Sequence, residues 1–288
     1  MRPEEPVAPM RARGIETRRF PAAGRLAIAA ERACRHRTAM HYLLTADVTA
    51  ARRLMAMSPQ TLSLTGFVTA SVARTVAETP VVHAYRDWRG RLVTHRHVDV
   101  MVPIEQRSGG GSRIVPHVVA DADARDITEI STELLAVGDT PTTGVLGALP
   151  LLPRVPGLAR AASTLLDRSV RQRRHVGTVL VATSGMRDIG EAFGVAASPL
   201  APLMPLQVVI GSVCPHQHRT SNIIEQHEIL NLTLTFDRSI VSTAQAARFA
   251  TRLCSALEHA EVLQAHGIAP RQPSHRLPSP SATAAPVG

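Results

Sequence analysis

The spacing of apolar residues changes period along this chain, and each change marks an element. Leu230, Leu232, Leu234 and Phe236 alternate with Asn231, Thr233 and Thr235. That strict period of two predicts a strand over residues 228–236 with one buried face. Shortly afterwards the period lengthens. Ala246, Phe249, Ala250, Leu253, Cys254 and Leu257 fall on one stripe of a helix, with Arg248 and Arg252 off it.

The remainder alternates in the same way. Residues 40–47 read as a strand, followed by a short helix over 49–57 that Thr49 is placed to cap. A helix over 65–78 offers two competing faces, Phe67, Ala70, Ser71, Arg74 and Ala77 against Val68, Val72 and Val76, and ends before Pro80. Residues 92–94, 98–105 and 114–119 read as strands, the last two joined by a flexible hairpin through Gly109, Gly110 and Gly111. Asp126 opens a helix over 127–135, and further helices are expected over 25–35 and 158–173. The basic end of the latter, Arg171, Arg173 and Arg174, suits a helix C-terminus; the alternative is an anion site. The Cys214-Pro215-His216-Gln217-His218 segment reads as a polar loop between strands, with metal binding as its alternative. His95 and His97 are expected to be exposed. Residues 1–14 form a flexible tail and the Pro-, Ser- and Ala-rich residues 267–288 a disordered one, leaving one domain over 15–266.

Composition narrows the chemistry. The 288 residues are 44% apolar but only 3% aromatic, so the core must be aliphatic. No apolar run approaches the roughly 18 residues of a membrane span, and the charged N-terminus has no leader-like stretch, so a cytoplasmic location is expected. Three widely spaced cysteines, Cys34, Cys214 and Cys254, make no disulfide framework. The net charge of +9 is carried wholly by arginine, because the chain has no lysine. Lipoyl, biotinyl and pyridoxal phosphate attachment each need a lysine amine and are excluded. The arginine excess invites a nucleic-acid reading. Stacking aromatics are too few for it and no zinc-finger or basic-zipper spacing appears, so solvated faces are the expectation.

The strand that ends in Asp237 and turns into a helix carries a resemblance. Residues Phe236 to Phe249 read F-D-R-S-I-V-S-T-A-Q-A-A-R-F. This resembles the F-D-H-R-x-x-D-G-A-x-A-A-R-F signature of 2-oxoacid dehydrogenase acyltransferase catalytic domains. Six further segments resemble that family in the same order: His41 to Thr49, Leu64 to Phe67, Pro80 to Tyr85, Ile114 to Asp123, Gly177 to Met186 and Pro205 to Gly211. Together they cover residues 38–258. The resemblance implies an α/β, two-layer fold of the chloramphenicol acetyltransferase-like type, a mixed sheet flanked by helices. It implies a stand-alone member without a lipoyl domain, a homotrimer with its channels between subunits, and an acyltransferase of groups other than aminoacyl. Coenzyme A thioester would be the substrate and a small molecule the acceptor; no nucleic acid or membrane partner is implied.

Acyl transfer between thiols needs a base and a donor to the tetrahedral oxyanion. The family's signature histidine falls on Arg238, which stays protonated and cannot be a general base. The family's acid or amide four residues later falls on Ser242, and its oxyanion serine on Ala182, with Thr183 and Ser184 adjacent. Asp237 is retained. His41 and His117, on strands resembling channel-lining parts of the family, are the candidate replacement bases; the alternative is that both are ordinary hydrogen-bonded or surface histidines. Arg238 either binds an acidic group or is paired with Asp237 or solvated. Three functions therefore stand open: an acyltransferase with altered residues, a non-catalytic binding or assembly protein of the same fold, and an enzyme of another class in specialised biosynthesis.

Overall fold

The computed structural model describes residues 37–87, 89–108, 111–139, 176–185, 194–197, 200, 204–220, 223–265 and 267. The helices expected over 25–35 and 158–173, Gly109 and Gly110, and both tails except Gly267 lie outside the described residues.

Six strands form one mixed sheet: β1 (Ala39–Asp47), β4 (Val100–Ser108), β5 (Gly111–Val119), β6 (Val179–Thr183), β7 (Leu206–Thr220) and β8 (Ile223–Asp237), in the spatial order β1-β8-β7-β6-β4-β5. The neighbours β7, β6 and β4 run parallel, and every other pairing is antiparallel. A two-stranded ribbon of β2 (Tyr85–Arg86) and β3 (Leu92–Val93) stands apart. The helices are α1 (Thr49–Met57), α2 (Leu64–Glu78), α3 (Ile127–Asp139), α4 (Thr243–Glu258) and the one-turn α5 (Glu261–Gln264). Among the described residues, no helix is long and apolar enough to cross a membrane.

The core lies between one sheet face and the helices. Leu230, Leu232, Leu234 and Phe236 of β8 meet Phe67, Val68 and Val72 of α2 and Phe249 and Leu253 of α4. The Phe236 ring is edge-on to Tyr42 at 5.9 Å and to Phe249 at 5.7 Å, the favoured geometry for aromatic pairs. The Val68, Val72 and Val76 face of α2 is buried, and so are Phe67, Ala70 and Ser71 of the other, because this helix is enclosed by the sheet on one side and α3 and α4 on the other. That second face opens to solvent only towards the C-terminal end, at half-buried Arg74 and exposed Ala77. Its N-cap Ser63 accepts from the Gly66 amide. Gly66 also lets α3 approach: a Cβ there would stand 2.4 Å from the Ser131 hydroxyl oxygen.

Several local expectations are corrected. Thr49 does not cap α1. Val48 occupies the cap, and the Asp47 carboxylate takes both the amide and the hydroxyl of Thr49. A carboxylate two residues back accepts two hydrogen bonds where a threonine oxygen accepts one. The Cys214–His218 segment is not a loop but part of β7, paired with β8 from Cys214↔Ile229 to His218↔Glu225. Proline is tolerated here because β6 pairs with β7 only as far as Ile210, so the outer edge at Pro215 needs no amide donor. His95 is half-buried rather than exposed, its ring packed on Tyr85 and bonded to the Tyr85 hydroxyl at 3.2 Å.

Candidate active site

At the end of β8 the chain makes a tight turn, closed by Ile240 and Val241 amides donating to the Asp237 carbonyl. Asp237 is buried, and its side chain fills the inside of this turn. One carboxylate oxygen accepts from the Ser239 amide and hydroxyl at 3.0 and 2.6 Å. The other accepts two hydrogen bonds from Arg37 at 2.9 and 2.8 Å, across 200 residues of sequence. Burial opposes ionisation of Asp237, yet the Ser239 hydroxyl, the Arg37 guanidinium and the Ser239 amide together hold its carboxyl below the usual aspartate value. The carboxylate is thus committed to shaping the turn.

Arg238 is the next residue and points away. Its amide donates to the Thr38 carbonyl at 2.9 Å, while its side chain is exposed and makes no ion pair among the described residues. The partner of Asp237 is Arg37. A second arginine reaches the same turn: Arg86 donates to the Ser239 carbonyl at 2.8 Å. Ser242 is the N-cap of α4. It forms a full capping box with Gln245, each side chain serving the other's backbone amide. Serine and aspartate are comparable caps, so the helix tolerates either.

The sheet register sorts the remaining candidates by face. His41 pairs with Thr235 of β8, Thr235 with Gln207, Gln207 with Leu180, and Leu180 with Met101. These residues share the face turned away from the core. His41 is exposed there, with Nδ1 2.9 Å from Thr235 Oγ1. One step along the same face, Leu43 pairs with Thr233, Thr233 with Val209 and Val209 with Ala182. His117 pairs with Val102 and lies on the opposite, core-side face. There its Nε2 stands 2.6 Å from Glu133 Oε1 of α3, and Arg125 grips the other Glu133 oxygen. Burial opposes the charge on Glu133, but His117 and Arg125 outweigh it and hold the carboxyl below its ordinary value. Thr183 pairs with Ile210, whose side chain is in the core, so it does not repeat Ala182's position; the Ser184 amide donates to the Ile210 carbonyl at 2.8 Å. Turn and rung thus bring Asp237, His41 and Ala182 to one side of the sheet, with Arg238 exposed at the turn, and His117 falls on the other. Among the described residues, no group of three or more His, Cys, Asp or Glu side chains is placed to hold a metal ion.

No protein-family profile and no curated protein matches the chain. Solved structures do. A probable dihydrolipoamide acetyltransferase from Listeria monocytogenes is 14% identical, matching 86% of this chain and 96% of that one with a TM-score of 0.62. The Azotobacter vinelandii dihydrolipoamide acetyltransferase is 15% identical, matching 92% of this chain and 100% of that one with a TM-score of 0.61. A truncated catalytic core of the 2-oxoacid dehydrogenase multienzyme complex from Thermoplasma acidophilum, 15% identical, matches 85% and 99% with a TM-score of 0.56. The fold is that of the 2-oxoacid dehydrogenase acyltransferase cores.

Within this acyltransferase-core fold, the sequence pattern missed how β8 is used. It assigned the strand one buried face, but Asn231, Thr233 and Thr235 are as buried as the leucines between them. A strand inside a sheet can bury small polar side chains that bond locally, as Thr235 does to His41 and Asn231 does to Ser212. Alternation alone carries no signal for that. Arg37 and Arg86 were missed as well, since their partners lie far away in sequence.

Proposed function

We propose that this protein is an acyltransferase that moves an acyl group from coenzyme A or another thioester to a small acceptor, with His41 as its base. The His41–Thr235 hydrogen bond carries this reading. If Nδ1–H donates to Thr235 Oγ1, Nε2 is left as the proton acceptor on an exposed part of the sheet. His41 thereby replaces the base that Arg238 cannot be. Arg238, exposed and without an ion pair among the described residues, is left to attract an acidic group such as a carboxylate or coenzyme phosphate. The likeness to dihydrolipoamide acetyltransferases supports the reaction class. With no lysine in this sequence, none of its own side chains can carry a lipoyl or biotinyl group.

The test mixes purified protein with acetyl- and longer acyl-coenzyme A plus dihydrolipoamide, and follows free thiol release. Turnover that falls on the order of 10²- to 10⁴-fold in His41→Gln supports the reading. Absence of both acyl release and coenzyme A binding rejects it.

A second reading, a non-catalytic binding or assembly protein, draws on Asp237 and Ser242, both occupied by turn and cap hydrogen bonds. The double variant Arg238→His, Ser242→Asp separates the two. Activity gained from none favours the second reading, and activity lost from a measurable level sinks it.

We also propose a homotrimer. Residues 215–220 and 223–228 pair with each other beyond the last β1 partner, Asp47↔Ile229, as a two-stranded arm. Such a hairpin is marginal alone and gains from packing on a neighbouring copy. Light scattering that returns a monomer at micromolar concentration would contradict this.

A further inference from the structure

The two-stranded arm meets the body of the sheet where β1 runs out. Asp47, the last residue of β1, pairs with Ile229, and every further rung of β8 is met by β7, from Pro215↔Glu228 to Thr220↔Ile223. Side chains two residues apart on a strand share a face, so His227 is the first residue beyond Ile229 on the face of Asp47. Its ring lies between two carboxylates. Nδ1 is 2.5 Å from Asp47 Oδ2 on the body, and Nε2 is 3.5 Å from Glu225 Oε2 on the arm.

The body end of this contact is fixed. The other Asp47 oxygen accepts the Thr49 amide and hydroxyl, the Thr49 hydroxyl oxygen accepts the Glu228 amide at 2.8 Å, and the Val48 amide donates to the Glu228 carbonyl at 2.9 Å. Burial opposes ionisation of Asp47, but Thr49 and His227 outweigh it and hold its carboxyl below the ordinary value. The arm end, Glu225, is exposed. A neutral imidazole has one N–H and one lone pair. If it donates to either carboxylate, it turns a lone pair on the other. Only the imidazolium, with two N–H groups, satisfies both. The Asp47 hydrogen bond accordingly leads in raising the His227 pKa above 6.5, with Glu225 adding to it. Two further charged groups stand nearby. His216 of β7 is exposed and directly across from His227, where a second positive charge would work against the first. Arg52 of α1 is taken up by Glu228 at 3.0 Å.

We propose that His227 is a proton-operated clasp, which fastens the arm to the end of β1 while its ring is charged and releases it when the ring becomes neutral. The device acts within one chain and does not rest on the acyltransferase reading. Its sign follows from the raised folded value. The contribution is fully present below the unfolded value of 6.5, down to the acid range in which Asp47 itself takes up a proton, and is lost as pH rises through the higher, folded value. Once released, the arm is a two-stranded hairpin, which is marginal on its own. Its order therefore follows the charge of one ring, while the leucine- and phenylalanine-bearing part of β8 stays held by the core.

The test follows amide hydrogen exchange of the full chain at pH 6 and pH 9, expressed as protection after correction for intrinsic rates, in wild type, His227→Gln and His216→Gln. Wild type is expected to lose roughly fivefold protection in the arm amides between the two, the effect of an exposed ion pair at the top of its usual range, while residues 230–236 keep theirs. His227→Gln should show the lower protection at both pH values, and His216→Gln should keep the drop. A second measurement needs no variant: the His227 ring resonances of wild type should titrate with a midpoint above 6.5. An equal drop in His227→Gln, no drop in wild type, or a His227 midpoint at or below 6.5 overturns the proposal.

Discussion

His41 and His117 stand on opposite faces of one sheet. His41 shares a rung with Thr235 and bonds to it, whereas His117 shares a rung with Val102 and bonds to Glu133 among the helices. Two histidines that the sequence offers as equals are therefore separated by the thickness of the sheet. Only one can meet a ligand approaching the face where Asp237 and Ala182 also lie.

Paired variants follow. His41→Gln should lower acyl transfer by a factor on the order of 10² to 10⁴. His117→Gln should leave kcat within about twofold while lowering the melting temperature, because it unsettles the Glu133–Arg125 cluster. Steady-state kinetics and melts of both proteins check the assignment.

Asp237→Asn should destabilise the fold. The pair it forms with Arg37 is buried on both sides, and removing one partner leaves a guanidinium without its counter-charge, a cost of about 3–5 kcal/mol. Because the folded carboxyl titrates below its unfolded value of 3.8, its contribution is fully present above that pH and is lost as pH falls through the lower, folded value. Urea denaturation at pH 7 and at pH 3 should show the gap between wild type and variant narrowing in acid.

His83 should set an acid limit on stability higher than that. Its ring is buried, with Nδ1 2.8 Å from Thr178 Oγ1. Burial and the nearby His95 depress its pKa from 6.5 to about 4. The folded state therefore binds fewer protons than the unfolded chain between these values. Its neutral form supports folding above pH 6.5, and stability falls as pH drops from 6.5 towards 4, by at most about 3 kcal/mol. His83→Asn keeps a hydrogen-bonding side chain without the titration. The difference in melting temperature between wild type and variant should shrink across that window.

Ser242 should prove a helix cap first. Ser242→Ala removes the capping box of α4 and should cost about 1 kcal/mol, whereas Ser242→Asp should be nearly neutral. Denaturant midpoints read both.

Much of the fold was legible in advance, because β8 and α4 announce themselves through period and cap chemistry. The three β-strands with proline inside them tested that reading differently. Pro103 and Pro116 face each other across β4 and β5 without interrupting the predicted strands, while Pro215 made a strand look like a loop. All three prolines stand where the strand's other edge has no paired neighbour, and a single segment does not carry that information. The site was legible as a place and not as a mechanism. Arg238 marks the position, but which histidine shares the face of Asp237 depends on the register of β5 and β1, set by partners far along the chain.

The ion pairs of the described surface have one more consequence. Arg52, Arg91, Arg125 and Arg252 bind Glu228, Asp87, Glu129 with Glu133, and Glu78 with Glu261, all through guanidinium groups. A guanidinium keeps its proton at neutral pH and is a poor nucleophile, while a lysine amine reacts slowly with thioesters on its own. If the chain turns over activated acyl groups as proposed, arginine as its sole strong cation offers them no side-chain amine, and the protein resists being modified by such a substrate.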